Sequence, residues 1–202
     1  MKTFEELKEE LLNRAKNANA CQNGYKMGLD AKNKADLLKA ITANWFWVLI
    51  DARIVDAIYL EENFTEEELS EAGIYTRKCH EVRAVSFACG SATVKACGSA
   101  TVKACGSATV EAYGSATVRA CDSATVEAYD SATVEAYDSA TVRACDSATV
   151  EAYGSATVRA CDESYVEDCT GNIRPRYDYA IVKGYHNHKI YIRKGKFEII
   201  EV

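Results

Sequence analysis

The chain has 202 residues, of which 48% are hydrophobic and 27% charged, and its net charge is −6. This is an ordinary composition for a folded protein of one or two domains. The longest apolar run, residues 45–50, is much shorter than the about 20 residues that cross a bilayer, and the first residues lack the apolar core of a secretion signal. We therefore expect no membrane-spanning helix and a cytoplasmic location.

Residues 1–75 are predicted to form a helical N-terminal domain. Thr3 and Glu6 make a capping box, the reciprocal pairing of side chains and backbone N–H groups that starts a helix. An apolar face at three- and four-residue spacing follows it: Phe4, Leu7, Leu11 and Ala15. A second helix is expected from about Lys34, and a capping box at residues 65–68 predicts another that ends near Gly73.

Residues 88–159 are nine consecutive copies of one octapeptide, A-[C/Y]-[G/D]-S-A-T-V-[K/E/R]. Within a copy, Ala, Val and the next Ala share one parity, whereas Thr and the charged residue share the other. Since the charge must face water, Ala-Val-Ala is predicted to face inward from a short strand. The Gly-Ser or Asp-Ser pair is typical of a turn, so each copy is one strand and one corner.

A β-solenoid explains this repeat better than an antiparallel meander does. With two-residue turns, a meander would switch the Ala-Val-Ala set between faces in successive strands. A solenoid keeps all copies equivalent and stacks identical residues about 4.8 Å apart. A two-sided coil takes about 16 residues and gives between four and five coils, on the order of 22 Å tall. A triangular coil of about 24 residues is the alternative.

The predicted fold is α+β, with an N-terminal helical cap, a central solenoid and a small C-terminal β cap. We assign the solenoid to residues 76–169 and the β cap to 170–202. The transition segment 74–87, which overlaps the end of the helical domain, is expected to form a first irregular coil. Strands are predicted at 179–183, 189–193 and 197–202. The caps are expected to cover the solenoid ends, which would otherwise expose unpaired strands.

No cofactor, metal site or catalytic residue is predicted. Nine cysteines are present, and five occupy a repeat position that Tyr takes elsewhere: Cys89, Cys97, Cys105, Cys121 and Cys145. We interpret these as free thiols on a stacked surface, because one column at about 4.8 Å spacing does not make a tetrahedral zinc site. His186 and His188 are expected to be surface residues, and no triad is recognisable among the three histidines.

The solenoid is the acidic part of the chain, since residues 88–169 carry 12 acidic and 5 basic side chains. Part of the acid comes from the corners: Asp122, Asp130, Asp138, Asp146 and Asp162. On a 16-residue coil these corners divide between two edges. An acidic rod is compatible with nucleic-acid mimicry, calcium binding or a solvated surface with ion pairs between coils. The Thr column suggests ice binding, although charged residues flank it.

Four tyrosines supply rigid amphipathic area of the kind enriched at protein interfaces. The predicted partner-binding residues are Tyr113, Tyr129, Tyr137, Tyr153, Asp122, Asp130, Asp138 and Asp146. We expect a non-enzymatic protein–protein interaction module. The alternatives are a self-assembling structural protein, an acidic nucleic-acid mimic, or an ice- or calcium-binding solenoid. Direct nucleic-acid binding is not expected, and a homo-oligomer stays open.

The repeat Ala-Tyr-Asp-Ser-Ala-Thr-Val-Glu, with the upstream segment 64–75, resembles a group of uncharacterised bacterial and prophage proteins. Their A-[Y/W]-x-[S/N]-A-T-V repeats lie between a helical start and a short β end. The resemblance implies a β-solenoid and a mobile-element context, and a phage-type inhibitor of a host or defence protein is the sharpest form of the predicted interaction module. It implies no activity, cofactor or site residue.

Overall fold

A computed structural model describes residues 2–175 and 177–193. In it a helical region precedes a two-sided parallel β-solenoid, which ends in a short hairpin. The predicted fold class is therefore confirmed. The predicted strand 197–202 lies outside the described residues. In the part of the chain that is described, no helix is long and apolar enough to cross a bilayer.

The helical region contains five α-helices and one π-helical turn within the described residues. They are α1 (Phe4–Asn17), α2 (Gln22–Asp30), α3 (Lys34–Ala43), the π-helical turn (Trp47–Asp51), α4 (Ala57–Asn63) and α5 (Glu66–Glu71). The two predicted capping boxes are present at the starts of α1 and α5. Helix α2 was not predicted, and none of its side chains is fully buried.

The strands form two parallel sheets. Sheet 1 contains, in spatial order, β1 (Ile74–Tyr75), β3 (Val85–Ala88), β5 (Thr101–Ala104), β7 (Thr117–Ala120), β9 (Thr133–Ala136), β11 (Thr149–Ala152), β13 (Tyr165–Asp168), β14 (Ile181–Gly184) and the antiparallel β15 (Lys189–Tyr191). Sheet 2 contains β2 (Cys79–Val82), β4 (Thr93–Ala96), β6 (Thr109–Ala112), β8 (Thr125–Ala128), β10 (Thr141–Ala144) and β12 (Thr157–Ala160).

Successive octapeptides alternate between the two sheets, so one coil contains 16 residues. Thr141 pairs with Thr157 on one side and with Thr125 on the other, without any shift in register. This confirms the two-sided coil over the triangular one. The Ala and Val side chains of both sheets face each other and are almost completely excluded from water. Small residues fit here because only one thin layer of side chains separates the sheets.

The corners require a left-handed backbone. Gly114 has φ of +69°, and Asp130 has φ of +54° at the equivalent corner of the next coil. Gly adopts this conformation without a Cβ penalty, and Asp is among the few other residues that tolerate it. This backbone requirement explains why the third repeat position is either Gly or Asp in every copy.

The solenoid extends beyond the nine exact copies at both ends. Strands β2 and β3 form the predicted irregular first coil. At the other end β14 pairs in parallel with β13 and so adds a further strand to sheet 1. The predicted first strand of the β cap is thus a solenoid strand, and the hairpin with β15 is what ends the sheet.

A buried carboxylate organises the last coil. Asp168 occupies a position that is Ala in the exact copies and is fully buried. It accepts hydrogen bonds from the backbone N–H groups of Thr170, Gly171 and Ile173 at 2.8–2.9 Å, and from the Thr170 hydroxyl at 2.6 Å. The loop that follows β13 is therefore held by one side chain.

Candidate partner-binding site

The eight predicted partner-binding residues lie on two opposite edges of the solenoid. Edge 1 consists of the corners that lead from sheet 1 to sheet 2, and edge 2 of those that lead from sheet 2 to sheet 1. Edge 1 holds Tyr137, Tyr153, Asp122 and Asp138, whereas edge 2 holds Tyr113, Tyr129, Asp130 and Asp146. The structure thus brings them together in two groups of four. Because the two groups lie on opposite edges, one compact partner surface cannot contact both.

The tyrosines stack in pairs along each edge. The ring centroids of Tyr113 and Tyr129 are 5.1 Å apart with planes 8° apart, and those of Tyr137 and Tyr153 are 4.9 Å apart with planes 9° apart. Residues 16 apart stack because each coil repeats the register of the previous one. Each pair presents a continuous aromatic strip about two coils long.

Each tyrosine hydroxyl donates a hydrogen bond to the glutamate two residues before it. Tyr113 donates to Glu111 at 3.0 Å and Tyr153 to Glu151 at 2.7 Å; Tyr129 and Tyr137 bond in the same way to Glu127 and Glu135. The carboxylate raises the pKa of Tyr129 to about 12, because ionising the phenol would remove the donor. The hydrogen bond to Glu151 likewise raises the pKa of Tyr153.

This bond has a sequence signal that our sequence analysis missed. In the nine T-V-x-A segments between residues 93 and 160, Tyr always follows Glu (V-E-A-Y), and Cys always follows Lys or Arg (V-[K/R]-A-C). The second and eighth repeat positions therefore vary together. The hydrogen bond explains the Glu–Tyr half of this pattern.

The aspartates at the corners support the backbone. Asp130 accepts a hydrogen bond from the N–H of Gly114 at 2.8 Å, and Asp146 accepts one from the N–H of Asp130 at 3.1 Å. The same bond joins three further pairs: Asp122 to Gly106, Asp138 to Asp122, and Asp162 to Asp146. These carboxylates tie each corner to the previous coil, and their other lone pairs face solvent.

The five repeat cysteines are free thiols, as predicted, but they do not lie on an exposed surface. Cys89, Cys105, Cys121 and Cys145 are buried, and Cys97 is half-buried. A thiol is small enough to be covered by its neighbours in the column. Burial raises the pKa of Cys121 to about 12 and that of Cys145 to about 11, so both remain protonated thiols at neutral pH.

The helical region packs against the first coils from the side of edge 1. Trp45 contacts Phe87 with ring centroids 5.1 Å apart, and the same apolar cluster contains Cys89 and Cys105. Phe46 lies under the cations of Lys103 and Arg119, which belong to the outer face of sheet 1. The first coils of edge 1 and sheet 1 are therefore already in contact with another part of the chain.

A recess of about 420 Å³ opens further along edge 1. It is lined by Glu151, Tyr153, Glu167, Cys169, Tyr185 and His186. The recess exists because the column here reads Tyr153, Cys169, Tyr185, so a thiol stands between two aromatic rings. The strands that carry these two tyrosines are two coils, or about 10 Å, apart.

The recess is acidic. Glu151 lies in register between Glu135 and Glu167, so three carboxylates follow one another on sheet 1. Glu167 pairs with Lys183 at 3.1 Å, whereas Glu151 receives only the hydroxyl of Tyr153 in the described residues. A cation placed between the two tyrosine rings would lie about 5 Å from each, which is within the reach of a cation–π contact.

Cys169 and His186 share this recess but are not arranged as a nucleophile and its base. The Nε2 atom of His186 lies 3.0 Å from the Cys169 carbonyl oxygen. Because a carbonyl oxygen only accepts, Nε2 carries the ring hydrogen and donates a hydrogen bond to the backbone. Burial and neighbouring carboxylates raise the pKa of the Cys169 thiol. An activated cysteine needs the opposite shift. Across residues 2–175 and 177–193, no group of three His, Cys, Asp or Glu side chains is placed to hold a metal ion.

A larger cleft of about 680 Å³ lies between α5 and the first coil. Its basic side chains are already paired, Arg77 with Glu61 and Lys78 with Glu66. The edge 1 recess, with its central carboxylate lacking such a partner among the described residues, offers the stronger site for a charged ligand.

No family model, curated protein or solved structure matches this chain. The likeness of its repeat to bacterial and prophage proteins stays a prediction.

Proposed function

We propose that this protein is a non-enzymatic protein–protein interaction module that receives a lysine or arginine side chain of its partner in the edge 1 recess. The single observation that supports this is the gap between Tyr153 and Tyr185 above Cys169, bordered by Glu151 and Glu167. A flat solenoid surface offers few deep sites, and this one combines aromatic rings with uncompensated negative charge. Arginine and tyrosine are both enriched where interfaces are strongest.

The recess can discriminate between partners. An arginine guanidinium is planar and stacks on aromatic faces, and it donates to carboxylates in a fixed geometry. A carboxylate or phosphate would meet the like charge of Glu151 and would be rejected. The partner is therefore a protein with an exposed basic side chain, and inhibition of such a protein by a phage-encoded binder is the sharper form of the proposal.

Selection from a random peptide library tests the proposal directly. The wild-type protein should enrich peptides that contain Arg or Lys. Replacing Glu151 with Gln should weaken the selected peptides about tenfold, since a charge-assisted hydrogen bond is worth about 1.5–3 kcal/mol. Replacing Tyr185 with Ala should weaken them as well, because one wall of the gap is lost.

Glu127→Gln is the matched control. Glu127 accepts the hydroxyl of Tyr129 just as Glu151 accepts that of Tyr153. Its column continues after Tyr129 with Cys145 and Cys161, so no second ring frames a gap there. Its affinity for the selected peptides should equal that of the wild type. Selected peptides without basic residues, or binding that survives Glu151→Gln, would contradict the proposal. Capture of a partner that duplex nucleic acid displaces would favour nucleic-acid mimicry instead.

A further inference from the structure

The outer face of sheet 2 is presented here by strands β4, β6, β8, β10 and β12. At β12 the Arg159 guanidinium donates a hydrogen bond to the Tyr177 hydroxyl and lies 5.4 Å from the centre of the Tyr177 ring, so a loop residue borders this end of the face. Each strand presents two outward side chains, a Thr and a charged residue. The Thr side chains form a low column and the charged residues a second column beside it. The apolar cluster of the helical region includes no residue of these five strands, so the helices do not cover the face.

The charges on this face occur in blocks. Glu81 of β2 begins the charged column, which then reads Lys95, Glu111, Glu127, Arg143, Arg159 along the solenoid. Adjacent members are in register, so Glu111 faces Glu127 and Arg143 faces Arg159 across about 4.8 Å. Like charges directly opposite each other on neighbouring strands are destabilising. Strict alternation of sign would have avoided both repulsive steps.

Ion pairs within the chain do not compensate for this arrangement. Lys95 pairs with Glu111 at 3.2 Å. Glu127 and Arg143 make no salt bridge with the described residues. Arg159 makes none with them either, although its guanidinium contacts Tyr177 through a hydrogen bond and a cation–π contact. The Glu–Tyr bonds explain why Glu111 and Glu127 are neighbours, because their tyrosines stack. They do not explain why Arg143 and Arg159 are neighbours.

The block order is complementary to itself. We propose that the outer face of sheet 2 binds the same face of a second copy of this chain. A two-fold axis in the interface, parallel to the strands and between β8 and β10, reverses the order of the coils. Glu127 then meets Arg143 of the second copy, and Glu111 meets Arg159 of the second copy. Each contact occurs twice, as in any isologous interface.

The same axis places each Thr column opposite its counterpart. Thr125 then faces Thr141 of the second copy, and these short side chains leave room for the longer charged pairs beside them. In each charged pair that this symmetry forms, the two partners have opposite signs. The outer face of sheet 1 is not an equivalent candidate, because Phe46 lies against Lys103 and Arg119 there.

The dimer is expected to be weak and sensitive to salt. The four strands that this axis places opposite each other, β6 to β12, span about 19 Å along the solenoid and about 13 Å along each strand. This area is well below the about 800 Å² per partner of a standard stable interface. Exposed ion pairs contribute little individually and are screened by salt. Association should therefore appear at high protein concentration and low ionic strength.

Analytical ultracentrifugation with charge reversals tests the proposal. The wild-type protein should dimerise reversibly at about 0.01 M salt and be monomeric at about 1 M salt. Glu127→Arg and Arg143→Glu should each weaken self-association about tenfold or more, since each turns two attractive contacts into repulsive ones. Exposed Glu9 of α1 supplies the control, because Glu9→Arg changes net charge by the same amount away from this face.

Two combinations make the test independent of folding defects. A mixture of the Glu127→Arg and Arg143→Glu proteins should form a heterodimer, because opposite charges then face each other again. The double variant Glu127→Arg/Arg143→Glu should recover self-association. A wild-type protein that stays monomeric up to about 1 mM at low salt, or single variants that do not associate with each other, would overturn the proposal. The recess on edge 1 is not involved, so the peptide selection stands or fails separately.

Discussion

Replacing Asp168 with Ala is expected to destabilise the C-terminal coils, although it makes the sequence more like the repeat. Ala occupies this position in the exact copies, as at Ala152, the neighbour of Asp168 in the register. A consensus argument predicts a stabilising change. The structure predicts the opposite, because the carboxylate accepts four hydrogen bonds from residues 170–173.

The size of the effect follows from where each donor lies. The N–H of Ile173 is buried and cannot reach water after the change, which costs about 1–3 kcal/mol. The donors of Thr170 and Gly171 are partly exposed and regain water, so each loses only about 0.5 kcal/mol. With the N–H and the hydroxyl of Thr170 and the N–H of Gly171 counted, the sum is about 2.5–4.5 kcal/mol.

Hydrogen exchange measured by mass spectrometry is the suitable assay, because solenoid repeats contact only their neighbours and unfold locally. Peptides that cover β13 and β14 should lose protection in Asp168→Ala, and those from β5 to β9 should not. Urea unfolding should show the same loss for the last coils. Exposed Glu163, changed to Ala, is the control in the same coil. Unchanged or increased protection at β13 and β14 would refute the reasoning.

Three further predictions concern the edges. At the left-handed corner of Asp130, Ala should cost about 1–2 kcal/mol in urea unfolding and Gly less, because Gly tolerates the positive φ; equal losses would contradict this. In an ultraviolet pH titration Tyr129 should ionise near pH 12, and Glu127→Gln should bring it toward 10. Because folding raises this pKa, the stability it adds is complete below about pH 10 and is lost as the pH rises through 12. In native protein the exposed thiols of Cys21 and Cys79 should react with a thiol reagent, and those of Cys121 and Cys145 should stay unreactive until unfolding.

The coil could be predicted from sequence because its cause is local. The parity of Ala, Val and Ala decides which side is buried, and a two-sided coil of two octapeptides is the smallest arrangement that satisfies it. The burial of the cysteines could not be read in this way. A column position that points outward in a strand is covered here by its neighbours 16 residues away, as for Cys121.

The sequence predicted that tyrosines and acidic residues form the candidate site, but not which of them lie together. Tyr129 and Tyr137 are one repeat apart and therefore lie on opposite edges, whereas Tyr113 and Tyr129 stack. The recess depends on Cys169 between Tyr153 and Tyr185, and Tyr185 lies outside the exact repeat. Its position became clear only when β14 proved to continue sheet 1.

The alternation of octapeptides between two sheets restricts how the length of this protein can change. Adding or deleting one octapeptide would exchange the sheets and edges of everything downstream, so that the chain would reach residues 169–193 on the opposite side. A change of 16 residues preserves both the hairpin at the end and the side on which each column lies. Variation in copy number within a lineage should therefore proceed in pairs of octapeptides. The length of the solenoid then changes in steps of one full coil, about 4.8 Å.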